Sequence, residues 1–207
     1  MKRKKIVIIF SLLLLSMLCC SRIYILNSTC EKPEIEIYES NVSVPVGGNF
    51  FANASEDLDG FEFNVHNARI YTYEQYLDEY DLNNDSASNS EGYTPQYVYD
   101  VEVTIRNVYN NNTDPQAAAI NLVTTVLKSS NHQIQVNGEL FSMLYPQLKG
   151  AYGFKLLPES EMTFHFPYTA IKEYDDTCDR NYYETEEFYL LISMYPVEKM
   201  IRVNTIT

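Results

Sequence analysis

Tryptophan is absent from the 207 residues, and cysteine and histidine number only four and three. The missing tryptophan removes the ring that packs against the inter-sheet disulfide of antibody domains. So few thiols and imidazoles leave no short-spaced metal cluster: H-E-x-x-H is absent, and Cys30 and Cys178 are too far apart in the chain to read as a zinc pair. Nucleophile motifs are missing too. G-x-S-x-G does not occur, and Cys178 lies among Asp175, Asp176 and Asp179, whose charges disfavour a thiolate. Basic residues are the other shortage. Of 15 Lys and Arg, five (Lys2, Arg3, Lys4, Lys5, Arg22) fall in the first 26 residues, which contain no acid. The rest of the chain has 10 bases against 28 acids, a formal charge of −18. Such a field repels nucleic acid and anionic lipid headgroups and attracts cationic partners.

The leader reverses that character. Lys2, Arg3, Lys4 and Lys5 stand directly before an apolar run from Ile6 to Leu18, which resumes at Ile23 to Leu26. A basic flank followed by hydrocarbon is a membrane-targeting signal that keeps its basic end in the cytoplasm. As one helix, Ile6 to Leu26 would be about 31 Å long, enough to cross a bilayer. Arg22 lies near the outer end, where its head can snorkel to the interface. Residues 1–26 are therefore expected to be an uncleaved signal-anchor, 27–33 a stalk, and 34–207 a single domain outside the cytoplasm. Cleavage is the competing outcome, with Cys19 and Ser21 a poor imitation of an A-x-A site. A lipid anchor on Cys19 or Cys20 is a third, though Leu18 and Cys19 fit badly in the positions before it.

Beyond the leader, a period of two dominates. Ile35 and Ile37 alternate, as do Phe61, Phe63 and Val65, and the clearest strand runs from Tyr97 to Ile105. There Tyr97, Tyr99, Val101, Val103 and Ile105 share one face, while Asp100, Glu102, Thr104 and Arg106 are expected on a wet one. Further strands are expected at Ala119–Leu127, Gln133–Val136, Met162–Phe166, Phe188–Tyr195 and Met200–Val203, with Asn137-Gly138 read as a turn. The almost wholly apolar run Phe188–Met194 suggests a central strand covered on both faces. One segment is helical: Tyr73, Tyr76, Leu77 and Tyr80 recur at i, i+3, i+4 and i+7 behind a Thr72/Gln75 capping box. Together these predict an all-β, immunoglobulin-like antiparallel β-sandwich with one short helix, preceded by the signal-anchor helix.

Candidate sites are few. Cys30 and Cys178, exported to an oxidising compartment, could pair as a disulfide or remain two thiols. Asp81, Asn83 and Asp85 match the first ligand positions of an EF-hand loop, but Ser86 replaces the turn glycine and Gly92 the bidentate glutamate. Asp57 and Asp59 before Gly60 form a shorter fragment of the same kind, and no metal or cofactor is expected. His165 reads as an outward-facing strand residue. Tyr93, Tyr182 and Tyr183 read as loop tyrosines suited to binding, and the polar stretch Asp81–Gln96 as a loop that is either functional or disordered.

The segment Ala68-Arg69-Ile70-Tyr71-Thr72-Tyr73-Glu74-Gln75-Tyr76-Leu77, the strand Tyr99 to Ile105 with its Asn-rich turn, and the closing Leu190-Leu191-Ile192-Ser193-Met194-Tyr195-Pro196 carry a resemblance. With the basic leader, they resemble an uncharacterised domain-of-unknown-function family of Gram-positive gut bacteria. Its members are membrane- or lipid-anchored proteins with a telokin-like, Ig-like sandwich outside. The resemblance implies no activity and no site residues. The expected function is thus a non-enzymatic, membrane-tethered interaction module for an envelope or surface protein or a glycan. A structural spacer, or an enzyme assembled from distant residues, is the alternative.

Overall fold

The computed structural model describes residues 2–29, 34–50, 56–82, 95–114, 117–151, 153–170 and 179–206, with backbone alone for 2–7. It divides into two compact units, Met1–Lys32 and Pro33–Thr207. The first is helix α1, Lys2–Thr29, in which Ile8–Thr29 is long and apolar enough to cross a membrane. The helix runs three residues past Leu26, and the hydroxyls of Ser28 and Thr29 fold back onto the Ile25 carbonyl at 2.9 and 2.8 Å.

The second unit is mostly sheet. Its strands are β1 (Glu34–Tyr38), β2 (Val44–Pro45), β3 (Phe61–Thr72), β4 (Tyr97–Asn107), β5 (Ile120–Asn121), β6 (Val126–Lys128), β7 (Gln133–Gln135), β8 (Gly153–Phe154), β9 (Ser160–Tyr168), β10 (Phe188–Ser193) and β11 (Val197–Val203). Five form one sheet in the order β1-β11-β10-β6-β7, four form another in the order β2-β3-β4-β9, and β5 pairs with β8. A sandwich-like core joins the two larger sheets. Phe63, Val65, Val101, Val103, Phe164 and Phe166 meet Leu127, Phe188, Leu190, Ile192, Ile201 and Val203 in one buried cluster. As the sequence predicted, β10 is the central strand of its sheet and is covered on both faces. Leu190 and Ile192 belong to the main core, whereas Leu191 packs with Val126 and Met200 on the other side.

Three expectations are corrected. The sheets are not wholly antiparallel, because β1 runs parallel to β11, Glu34 opposite Val197 and Tyr38 opposite Ile201. No hairpin joins these two strands, so no turn dictates opposite directions. The single strand read over Ala119–Leu127 is instead β5 and β6 separated by a tight turn. There the Asn121 side chain accepts from Val123 N–H at 2.9 Å and its carbonyl accepts from Thr124 and Thr125 N–H, an arrangement that competes with the strand ladder. Finally, more than one helix is present: α2 (Tyr73–Glu79), α3 (Gly138–Leu144) and α4 (Arg180–Thr185), with a 3₁₀ turn at Pro146–Leu148. The Asn137-Gly138 pair is not a hairpin turn but the start of α3, where Asn137 Oδ1 caps Leu140 N–H at 3.0 Å.

α2 forms where the spacing predicted. Gln75 N–H donates to Thr72 Oγ1 at 3.2 Å and Thr72 N–H donates to Gln75 Oε1 at 2.9 Å, a complete capping box. The helix buries Tyr76 and Leu77 against Val98 and Leu140, so the face of β4 predicted to be wet is covered at that end. Replacing Thr72 by Ala should cost about 1 kcal/mol. Urea unfolding followed by far-ultraviolet dichroism should register that loss, and Thr72→Ser should restore most of it.

Candidate functional site

The end of α2 brings a tyrosine, a buried aspartate and a histidine together. Tyr80, at the helix C-cap, donates its hydroxyl to Asp100 Oδ2 on β4 at 2.6 Å. His165 Nδ1 on β9 lies 2.8 Å from the same carboxylate oxygen and 2.8 Å from the Tyr80 oxygen. Asp100 is 3% exposed, while the His165 side chain is 34% exposed. The backbone N–H of His165 donates to the Tyr145 hydroxyl at 2.7 Å, which fixes that stretch of β9. Tyr76 packs on Tyr80 with ring centroids 4.8 Å apart; its buried hydroxyl and Asp100 Oδ1 have no hydrogen-bond partner among the described residues.

The electrostatics follow from this geometry. The hydrogen bond to Asp100 raises the His165 pKa, assisted by the charges of Asp100 and Glu102 and opposed by burial and by Arg69. Burial, reinforced by the Asp100 charge, pushes the Tyr76 and Tyr80 phenols far up, so both stay protonated. Chemically, the group is an oriented imidazole on a buried carboxylate that can hold a proton. The partners of its Nδ1 and backbone N–H among the described residues are Asp100, Tyr80 and Tyr145.

The other two histidines are likewise held in networks. His66 Nε2 meets Thr104 Oγ1 at 2.8 Å, which in turn meets Thr163 Oγ1 at 2.7 Å, and His132 Nδ1 meets the Tyr182 hydroxyl at 3.0 Å. Tyr182 and Tyr183 are not loop tyrosines. Asp179 caps α4 through Tyr182 N–H at 2.9 Å, and the helix turns both rings inward, Tyr183 stacking on Tyr99 at 5.5 Å. A chain rich in acids and polar residues up to Asp179 concealed this helix, since its apolar face is only those two rings. Asp100 was also misjudged, being buried, whereas His165 does lie on the outward face but is tied to that carboxylate. Strand alternation assigns a face, but not what an element from elsewhere in the chain lays upon it.

Asp57 and Asp59 are engaged within the fold. The Asp57 carboxylate accepts from Asn112 Nδ2 at 2.7 Å, and Asp59 accepts from the Tyr109 hydroxyl at 2.9 Å. Among the described residues, no group of three or more His, Cys, Asp and Glu side chains could hold a metal ion. Cys30, Cys178 and Tyr93 lie outside the described residues, as do Asn83, Asp85, Ser86 and Gly92 of the EF-hand comparison.

Beside α2, a cleft of about 540 Å³ is lined by Tyr71, Gln75, Asp78, Glu79 and Arg180. It adjoins a second of about 330 Å³ that adds Arg69, Glu184 and Ile206. Ile70 on β3 lines both. The cleft therefore sits at the edge of β3, between α2 and α4.

A family model described as a domain of unknown function (DUF5028) matches residues 35–199. The chain belongs to this family. No curated protein and no solved structure matches it. The family match spans β1 to β11 as far as Lys199, and so contains both the Asp100 network and most of the cleft.

Proposed function

We propose that this family member is a membrane-tethered binding module, held by α1 with the β unit outside the cytoplasm. The observation that carries the reading is the cleft at the β3 edge: an open strand edge walled by charged side chains is suited to recognition, and the apolar helix supplies a tether. The basic residues Lys2, Arg3, Lys4 and Lys5 at the start of α1 favour a cytoplasmic amino terminus. An immunoglobulin-like relation fits the two facing sheets and remains part of this proposal, as does a bacterial envelope as the setting. Partners are an envelope or surface protein, with a glycan less suited to a cleft whose exposed walls are ionic.

A second reading, an enzyme using His165 on Asp100, draws on their 2.8 Å contact. Against it stands the placement of the dyad outside the cleft, whose lining includes neither residue. In wall-stripped cells, protease added outside should degrade the β unit; full protection that ends only on lysis would overturn the topology. Full-length tagged protein in detergent should enrich a specific envelope component over a tag-only control. Failure to enrich any would count against the binding reading.

A further inference from the structure

We propose that the β3 edge at Ile70 is a docking site for a basic, extended peptide segment, which adds to the sheet by main-chain pairing. The inference rests on the binding reading above and names its ligand class.

The backbone sets the geometry. β3 pairs with β4 antiparallel, Ala68 opposite Val101, Ile70 opposite Tyr99 and Thr72 opposite Tyr97. In such a ladder, alternate residues turn their N–H and C=O away from the partner strand. Ala68 is of that kind: its N–H donates to the Asn204 carbonyl at 2.9 Å, and its carbonyl accepts from Ile206 N–H at 2.8 Å. Two residues on, Ile70 has the same phase, so its N–H and C=O face outward as well. At Thr72 the outward N–H is already taken by Gln75 Oε1 in the capping box. Ile70 is therefore left with an outward donor and an outward acceptor, and among the described residues neither has a hydrogen-bond partner. An edge in this state is a template for another strand. The cleft leaves room for one there, with α2 on one side, α4 on the other and Ile206 at its end.

Charge selects the occupant. Of the ionic wall, Arg180 is committed to Glu184, its Nε 2.6 Å from Oε1, and Arg69 is held in part by the charge of Glu79. Asp78 and Glu79 are exposed on α2 and join no ion pair among the described residues. Across the two adjoining clefts, the three carboxylates Asp78, Glu79 and Glu184 outnumber the two guanidinium groups Arg69 and Arg180, so the lining is net negative. Strand side chains alternate, so a peptide paired at Ile70 would offer every second side chain to that α2 wall. Lysine or arginine at those positions completes the match, in a protein whose exported part carries a formal charge of −18.

The test uses full-length protein in neutral detergent and fluorescein-labelled Lys-Val-Lys-Val-Lys, read by fluorescence anisotropy. Three comparisons accompany it: Glu-Val-Glu-Val-Glu, the basic peptide N-methylated at alternate residues, and two charge-matched variants. Asp78→Lys/Glu79→Lys changes the cleft wall, and Glu159→Lys/Glu161→Lys changes exposed sites at β9 by the same total charge. The expected result is binding of the basic peptide at least tenfold tighter than the acidic one. At least tenfold should be lost in the Asp78/Glu79 variant and on N-methylation of the pairing edge, and less than threefold in the β9 variant. No binding of the basic peptide overturns the proposal. Equal losses in both variants would mean attraction to net charge only, and indifference to N-methylation would mean no strand pairing; either overturns it. If an envelope partner is still captured by the Asp78/Glu79 variant, the docking site fails while the binding reading stands.

Discussion

Phe141→Ala should be the most damaging single truncation in the β unit, lowering its stability by about 3–5 kcal/mol. Phe141 is the buried face of α3 and 1% exposed. Its ring centroid is 4.7 Å from Tyr145, 5.7 Å from Phe166, 6.2 Å from Phe154 and 6.4 Å from Phe164. Two of those rings belong to β9, whose register against β4 is fixed by nine residue pairs, so the strand cannot slide in to fill the void. The cavity term therefore adds to the lost transfer energy. Urea unfolding of full-length protein in detergent, followed by tyrosine absorbance, should show the loss, with a fall in melting temperature of about 6–20 °C. Met162→Ala, on the same strand but 37% exposed, should cost less than about 1 kcal/mol. Comparable losses at the two positions would mean that the stacked rings do not anchor α3.

How much of this was legible follows the range of each signal. Periodicity acts over a few residues, and it correctly placed β3, β4, β9, β10, the α2 stripe and the Thr72/Gln75 cap. The apolar leader was equally plain, being a matter of composition. α3 was missed because Asn137-Gly138 satisfies two local rules at once, a tight turn and a helix start, and only packing of Leu140 and Phe141 decides between them. α4 was missed because it is six residues long with two apolar side chains. The Asp100 network joins residues 20, 65 and 85 positions apart, and nothing in one sequence couples Tyr80 to His165. The cleft is harder still, since its essential feature is an unpaired main-chain edge that bears no side-chain mark.

Removal of Asp100 gives the second large effect, and its dependence on pH separates the roles of its partners. In Asp100→Ala the Tyr80 hydroxyl and His165 Nδ1 lose their common acceptor in a nearly closed site, at a cost of about 3 kcal/mol. α2 should loosen with it, because the Tyr80 hydroxyl adds a hydrogen-bonded tie to β4 beside the packing of Tyr76 and Leu77 on Val98. Tyr80→Phe keeps the ring packing on Tyr71 and Tyr76 and should cost about 1 kcal/mol. The titration then isolates His165. Its pKa is raised in the folded state, chiefly by the hydrogen bond to Asp100, so the folded protein holds a proton that the unfolded chain releases earlier. The stabilisation is fully present below the unfolded value of about 6.5 and is lost as pH rises through the higher folded value. Urea midpoints of the wild type should accordingly fall as pH is raised from 6 towards 9. His165→Gln should abolish that slope, and Asp100→Asn should reduce it by removing the charge that favours the imidazolium. Since Glu102 also raises the His165 pKa and Arg69 opposes it, Glu102→Gln should shorten the window and Arg69→Gln extend it. A wild-type midpoint that rises across this range would show that His165 does not carry its proton in the folded protein.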